Sequence, residues 1–183
     1  MYSNFFRKKT KTFIIAEIGV NHNGSIDIAK KLIKIAKKIG ADAIKLQSFK
    51  VDSLTLKKTN LTNYQKKNIK KKQTHYEMLK KLELTEKVQK KLFLFSKKIG
   101  VEFISTPFDV ESAKFLNKLG VNFFKTASPD IQDIYLHRYL AKTNKKIIIS
   151  TGMTNEKEIN EYLRNYKNKK KNCFASLCVQ LPK

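Results

Sequence analysis

The stretch FIIAEIGVNHNG, residues 13–24, begins as an apolar run and ends as a polar, glycine-containing segment. Its first four residues are apolar without alternation, which predicts a strand covered on both faces. A carboxylate, two amides, an imidazole and two glycines follow within the next eight positions. Parallel α/β proteins place their chemistry where a buried strand ends in a polar loop. The stretch therefore predicts strand one and a functional site at its carboxyl end.

Composition fits one cytoplasmic domain. The chain has 183 residues, enough for a single domain with a substantial core. No apolar run approaches the roughly 20 residues of a membrane span, and the amino end lacks a signal-peptide pattern. Two cysteines, Cys173 and Cys178, are too few for a disulfide framework, so buried reduced thiols are expected.

The net charge of +24 raises nucleic acid as an alternative partner. The lysines are spread along nearly every predicted helix, however, and arginine occurs only at Arg7, Arg138 and Arg164. Arginine is the residue suited to bidentate phosphate and base contacts. Nucleic-acid binding is therefore the weaker hypothesis, and the basic surface is better suited to attracting a small anionic substrate.

An internal repeat predicts the architecture. IGADAIK (39–45), IGVEFIS (99–105) and LGVNFFK (119–125) each combine a helix end, a capping glycine and a short apolar strand. Joints of this kind imply repeated βα units and a parallel sheet. The flanking pattern predicts helices over the ranges 26–39, 85–99 and 110–119, the last with Asp109 as its N-cap.

The remaining chain continues this alternation. A fifth strand is predicted at 147–149, a helix from a capping box at Asn155 and Glu158 to about residue 166, and a sixth strand near 173–179. Residues 1–12 are a basic lead-in. The long basic segment 50–74 is expected to be a loop with one short helix and to act as a lid.

Two architectures suit regular βα repeats, an open doubly wound sheet and a (β/α)8 barrel. No G-x-G-x-x-G motif follows strand one, which disfavours the dinucleotide fold. The strands instead close on polar residues, as a barrel's active face requires: Glu17, Lys45 with Gln47, Ser105 with Thr106, Lys125 with Ser128, and Ser150 with Thr151. We predict an incomplete TIM-type barrel of about six βα units over residues 13–183; an open sheet remains the alternative.

The strand-end residues suggest an anion site. Lys45 and Lys125 facing one mouth, with hydroxyls nearby, would bind a phosphate or carboxylate, although each lysine can also extend to solvent as a surface residue. Glu17 is either a structural partner of a lysine or a general base or metal ligand. His22 is either a loop hydrogen-bonder or a ligand. His75 and His137 lie in predicted helical segments and receive no role.

Several motifs together resemble a known family. AEIGVNHNG, GADAIKLQSFK, YQKKN, YEMLKKLEL, ISTPFD, KTASPD and ISTGM follow one another in the order and spacing of the N-acetylneuraminate (sialic acid) synthases, a family that includes legionaminic and pseudaminic acid synthases. The resemblance runs from Phe13 to about Thr154.

This resemblance implies a fold and a reaction. The family has a (β/α)8 barrel followed by an antifreeze-protein-like domain, assembled as a domain-swapped homodimer. It condenses phosphoenolpyruvate with N-acetylmannosamine or a related 2-acetamido sugar to give a nonulosonic acid and phosphate. A divalent metal, Mn²⁺ or Mg²⁺, orients and polarises the sugar aldehyde.

The resemblance also implies residue roles. It gives catalytic roles to Glu17, Lys45 and Lys125. It gives substrate-binding roles to Gln47, Asn68, Thr106, Ser128 and Asp130. By the same resemblance, Lys45 contacts phosphoenolpyruvate and Gln47 contacts the sugar. Lys125 and Ser128 form a phosphate-binding K-x-x-S motif.

The carboxyl end departs from the family. The family reads roughly H-C-x-x-x-Y-P after strand six, whereas this chain reads SLCVQLPK at 176–183, with Leu177 in place of the histidine. The family's metal-binding histidines and its antifreeze-like domain are expected to lie beyond the end of this sequence. We expect the chain alone to lack synthase activity and to be poorly soluble or oligomeric. It is then a truncated anion-binding remnant or a subunit of a split enzyme.

Overall fold

The structure is a computed structural model. It describes residues 12–61, 73–143, 145–152, 154–164 and 166, and the backbone of 173–176. The strands are β1 (Ile15–Gly19), β2 (Ala43–Ser48), β3 (Glu102–Pro107), β4 (Phe123–Thr126), β5 (Lys146–Ser150) and β6 (Cys173–Ser176). The helices are α1 (Ile26–Lys38), α2 (Val51–Leu54), α3 (His75–Leu82), α4 (Glu86–Lys98), α5 (Val110–Leu119), a 3-10 helix (Ser128–Gln132), α6 (Ile134–Lys142) and α7 (Glu156–Leu163).

The six described strands form one sheet in the order β1-β2-β3-β4-β5-β6. Every neighbouring pair is parallel. This sequential order is that of a barrel-type βα succession and differs from the 3-2-1-4-5-6 order of the dinucleotide-binding fold. The parallel α/β class is therefore confirmed, and closure into a barrel stays a prediction because β1 and β6 lie at opposite ends of this sheet.

Helix starts follow local capping chemistry. The side chains of Ser25, Thr85, Asp109 and Asn155 accept a backbone N–H at the starts of α1, α4, α5 and α7. Each such cap stabilises a helix by about 1 kcal/mol. The predicted caps at Asp109 and Asn155 are confirmed, whereas α7 ends at Leu163, before the predicted limit.

The main core lies between the sheet and the helices. It contains alternate strand residues such as Ile44, Phe103 and Phe124 together with helix residues such as Ile33 and Leu116. A second, smaller cluster covers the other face of the sheet, and it contains Ala43, Ile104, Phe123 and Ile148. Both faces of the strands are therefore apolar in their middle, which explains their unalternating sequence.

The predicted lid segment is described only in part. Its short helix is confirmed as α2, and its last described residues lead into α3. The two helices are tied together because the Tyr76 hydroxyl donates to Asp52 at 2.8 Å and the Val51 backbone N–H donates to Glu83 at 3.3 Å. Residues 62–72 lie outside the described part, so the lid stays a prediction.

The helices of the described ranges include none with the length and apolar character of a membrane span.

Candidate anion-binding site

Side-chain alternation sorts the strand-end residues onto two faces. Lys45, Thr106 and Lys125 lie two positions beyond Ala43, Ile104 and Phe123 of the inner cluster, so they share its face. The pairing of Ser105 with Phe124 makes Thr106 and Lys125 the next residues on adjacent strands. Thr106 and Lys125 lie at the carboxyl ends of β3 and β4, as a barrel-type site requires. Lys45 lies in the middle of β2, and its ammonium reaches the Thr106 hydroxyl.

Glu17, Lys45 and Thr106 form the first half of the site. The Lys45 ammonium is paired with the Glu17 carboxylate and donates to the Thr106 hydroxyl at 3.4 Å. The Lys45 side chain is 14% exposed, whereas Glu17 is 51% exposed. Glu17 is therefore at least a structural partner of the lysine. Because half of its surface faces solvent, its carboxylate is also open to a substrate.

Gly19 makes room for this group. The register between β1 and β2 shifts between Glu17 and Gly19, and Gly19 has a φ of +54°. A Cβ on Gly19 would lie 3.0 Å from Glu17 Oε1 and 3.8 Å from Gln47 Nε2. The missing side chain thus lets the Glu17 carboxylate and the Gln47 amide border the same backbone position. The structure brings Gln47 to the Glu17 side of the site.

Lys125 and Ser150 form the second half. The Lys125 ammonium donates to the Ser150 hydroxyl and to the Thr126 carbonyl, the latter at 2.8 Å. Ser150 ends β5 beside β4, so the pairing of these strands carries the hydroxyl to the lysine. The sequence predicts Ser150 as one of the polar residues that close the strands, without a role of its own. Its position two residues after the inner-face residue Ile148 indicates that it faces the site.

The 3-10 helix after β4 carries Ser128 and Asp130. Its geometry is fixed at Asp130, whose carboxylate accepts the Ala127 backbone N–H at 2.7 Å. Burial raises the pKa of Asp130 to about 6, against the opposing effects of the Ala127 hydrogen bond and of the Lys125 and Lys45 charges, while Asp133 raises it further. The Asp130 carboxylate therefore caps the turn that follows Lys125, and the charges of both lysines act on it.

Three expectations from the sequence have different outcomes. Ser105 is not part of the site: its hydroxyl faces the helices and shares a 2.7 Å hydrogen bond with Ser48. His22 is buried and accepts the Gly24 backbone N–H at Nδ1 over 3.0 Å, which is the loop hydrogen-bonding role, and burial lowers the pKa of this imidazole. Asn68 lies outside the described residues, so its substrate-binding role stays a prediction.

The described residues do not fit a metal site. Among them, no three His, Cys, Asp or Glu side chains come together as ligands. Glu17 is engaged with Lys45 and Asp130 with Ala127.

A separate cleft lies at the opposite edge of the sheet. It has a volume of about 370 Å³, and its lining includes Lys97, Glu102 and Asn122. Asn122 donates to the Glu102 carboxylate at 3.2 Å, and burial raises the pKa of Glu102 despite that hydrogen bond. Glu102 begins β3, and this amino-end edge of a βα sheet ordinarily serves stability rather than catalysis.

Sequential parallel strands with basic and hydroxyl side chains on one face define the class of the protein as parallel α/β, with its candidate site towards the carboxyl edge of the sheet. Its inner face can hold a small ligand that carries phosphate or carboxylate, because two ammonium groups and two hydroxyls lie at one edge.

Similarity to known proteins identifies the family. The NeuB family model matches residues 32–180. The chain is 48% identical over 153 residues to N,N'-diacetyllegionaminic acid synthase of Campylobacter jejuni, covering 84% of this chain and 46% of that protein. It is 35% identical over 165 residues to pseudaminic acid synthase of the same organism, covering 90% of this chain and 48% of that protein.

A solved structure supports the same conclusion. N-acetylneuraminic acid (sialic acid) synthetase from Leptospira borgpetersenii, in complex with citrate, matches 94% of this chain and 55% of that chain, with a TM-score of 0.79 and 30% identity. The chain belongs to the NeuB family, and the resemblance drawn from its motifs is confirmed. It spans about half the length of the curated relatives that it matches.

Proposed function

We propose that this chain provides the phosphoenolpyruvate-binding part of a nonulosonic acid synthase. In the proposed reaction, phosphoenolpyruvate condenses with N-acetylmannosamine or a related 2-acetamido sugar. The names of its relatives support the nonulosonic acid product. The observation that carries the proposal is the placement of Lys45 and Lys125, each with a hydroxyl contact, on one face at the carboxyl edge of the sheet. Two such cations suit a ligand with both a phosphate and a carboxylate.

The proposed roles follow from position. Lys125, with Ser128 and Ser150, binds the phosphate, and Lys45 with Thr106 binds the rest of phosphoenolpyruvate. These groups fix the anion so that its methylene carbon faces a sugar aldehyde bound on the Glu17 side. Positioning of this kind supplies much of the rate of a two-substrate reaction.

The bonds of the proposed reaction balance without a redox partner. The methylene carbon of phosphoenolpyruvate forms a bond to the aldehyde carbon, and the aldehyde oxygen takes up a proton to become a hydroxyl. Water adds to the cationic carbon that results and loses a proton. The added hydroxyl then loses its remaining proton and becomes the keto oxygen as the C–O bond to phosphate breaks, and the leaving phosphate takes up a proton. Glu17 is the open carboxylate for the proton that water loses, and Gln47 and Asp130 are the proposed sugar contacts. The Mn²⁺ or Mg²⁺ of the family remains part of the proposal for the complete reaction.

Calorimetric titration of phosphoenolpyruvate tests the binding part. We expect saturable binding by the wild type and at least about tenfold weaker binding by Lys125→Gln, because the variant removes a charged hydrogen-bond donor. Lys118→Gln is the matched control, since Lys118 lies exposed in the last turn of α5. Absence of saturable binding, or equal weakening by both substitutions, would overturn the proposal.

A second candidate is that these residues bind the anion without catalysing the reaction alone, or act only together with a complementary chain. The chain spans about half the length of its curated relatives. We expect no turnover when phosphoenolpyruvate, N-acetylmannosamine and Mn²⁺ are added to the chain alone. Turnover would refute this candidate. Activity that appears only after addition of the C-terminal half of the Campylobacter jejuni relative would identify a split-enzyme subunit. Size-exclusion chromatography of both mixtures tests the family's homodimer.

A further inference from the structure

His137 lies in a buried polar cluster behind the anion site. It is fully buried on α6. Its Nδ1 contacts the hydroxyls of Tyr166, at 2.9 Å, and Tyr162. Its Nε2 lies 2.9 Å from the backbone carbonyl oxygen of Asp130. The imidazole therefore connects the end of the chain's α7 region to the 3-10 helix that carries Ser128 and Asp130.

The partners fix the imidazole tautomer. A carbonyl oxygen can only accept, so Nε2 carries the proton and donates to Asp130. Burial lowers the pKa of His137 to about 4, although the Asp130 carbonyl and the Asp133 charge act in the opposite direction. The ring is therefore neutral at neutral pH, and Nδ1 accepts a hydroxyl proton from Tyr162 or Tyr166. The direction of each hydrogen bond of the ring is thus determined.

Asp130 is consequently held at two points. Its carboxylate accepts the Ala127 N–H at 2.7 Å, and its carbonyl accepts both His137 Nε2–H and the Asp133 N–H, the latter at 2.8 Å. These bonds bracket the turn that begins with Ser128, directly after the strand that carries Lys125. No other side chain among the described contacts reaches the Asp130 carbonyl.

We propose that His137 is a positioning residue that holds the Ser128–Gln132 turn and thereby sets Ser128 beside Lys125 for phosphate binding. The phosphate part rests on the proposed function. His137 acts through Asp130 and touches no substrate. Without the Nε2–H, the partly buried Asp130 carbonyl keeps only the Asp133 N–H, and the turn loosens.

Two amide substitutions separate this role from simple packing. In His137→Gln, the side-chain NH₂ reaches approximately as far as Nε2 and can still donate to the Asp130 carbonyl. In His137→Asn, the shorter amide can still bond a tyrosine hydroxyl but does not reach Asp130. If His137 only fills space, both variants should be affected, because both lose the ring. If His137 positions the turn, His137→Asn should be affected and His137→Gln should resemble the wild type.

Hydrogen exchange of the turn is the first readout. We expect the amides of Ala127, Asp130 and Asp133 to exchange about tenfold faster in His137→Asn, the effect of losing one buried hydrogen bond. His137→Gln should restore exchange to near the wild-type rate. Equal exchange in the two variants, whether slow or fast, would overturn the positioning role, and urea unfolding of both identifies a global loss of stability.

Phosphoenolpyruvate affinity is the second readout. The Kd is expected to rise about tenfold in His137→Asn and to return with His137→Gln. Wild-type binding that is unchanged in His137→Asn refutes the phosphate role of the turn and leaves the proposed function standing. If the wild type does not bind phosphoenolpyruvate, both the proposed function and the phosphate role of the turn are refuted. The difference in amide exchange between His137→Asn and His137→Gln then decides separately whether His137 holds the turn.

Discussion

Asp130→Asn should make the protein more stable relative to the wild type as the pH rises. Burial raises the pKa of Asp130 from 3.8 to about 6, so the folded state resists ionisation of this carboxyl. The asparagine keeps an oxygen that accepts the Ala127 N–H, because that bond uses one carboxylate oxygen only. The substitution therefore removes the charge and preserves the cap of the turn.

The sign follows from proton binding. Between the unfolded pKa of 3.8 and the folded pKa of about 6, the folded wild type binds more protons than the unfolded chain, so this group lowers wild-type stability as the pH rises. Each unit by which the folded pKa differs from the unfolded pKa changes the unfolding free energy by about 1.4 kcal/mol. Because Asp130 is only partly buried, we expect the stability of Asp130→Asn relative to wild type to increase by about 1–2 kcal/mol from pH 4 to pH 7.

Urea unfolding at several pH values measures this difference. The unfolding free energy of the wild type is subtracted from that of the variant. The subtraction removes the contribution of His137, whose lowered pKa makes both proteins less stable as the pH falls from 6.5 towards about 4. Asp27→Asn is the charge-matched control, since Asp27 is exposed in the first turn of α1. If the stability difference between Asp130→Asn and the wild type stays constant over this pH range, or matches that of Asp27→Asn, then burial does not raise the pKa of Asp130.

Two further pairs of substitutions are predicted. Gly24→Ala should cost at least about 2 kcal/mol of unfolding free energy, because a Cβ would lie 2.2 Å from the Lys81 carbonyl oxygen at a φ of +77°. Gly40→Ala, also at positive φ but with no atom within 4 Å, should cost only about 1 kcal/mol in the same urea titration, and equal costs would contradict the contact argument. Thr106→Val should weaken phosphoenolpyruvate binding about fivefold without loss of stability, whereas Ser105→Ala should lower stability by about 1 kcal/mol and leave binding intact. Calorimetry and urea unfolding together test this pair, and the reverse pattern would show that the two faces of β3 are assigned wrongly.

The βα succession could be predicted because its causes are local. Each of Gly40, Gly100 and Gly120 has a positive φ at the end of a helix, as the repeat predicts. The apolar segments that follow become β2, β3 and β4. Capping residues such as Asp109 also act within a few positions, so they are visible in the sequence.

The site could be predicted only in part because it depends on strand register. Ser105 and Thr106 are chemically similar neighbours, and only the pairing of β3 with β2 and β4 decides which one faces Lys45. The hydrogen bond from His137 to Asp130 was missed for a related reason. The sequence places His137 on a helix, but its buried partners are set by how α6 packs against the 3-10 helix and the tyrosines.

A titration of phosphoenolpyruvate into the ¹⁵N-labelled protein, followed by NMR, tests the two-lysine site most directly. We expect saturable chemical-shift changes centred on Lys45, Thr106, Lys125, Ser128 and Ser150, with little change along the lysines of α1 and α4. Small non-saturating shifts spread over those helical lysines would refute a specific site, because the chain would then bind anions only through its general positive charge.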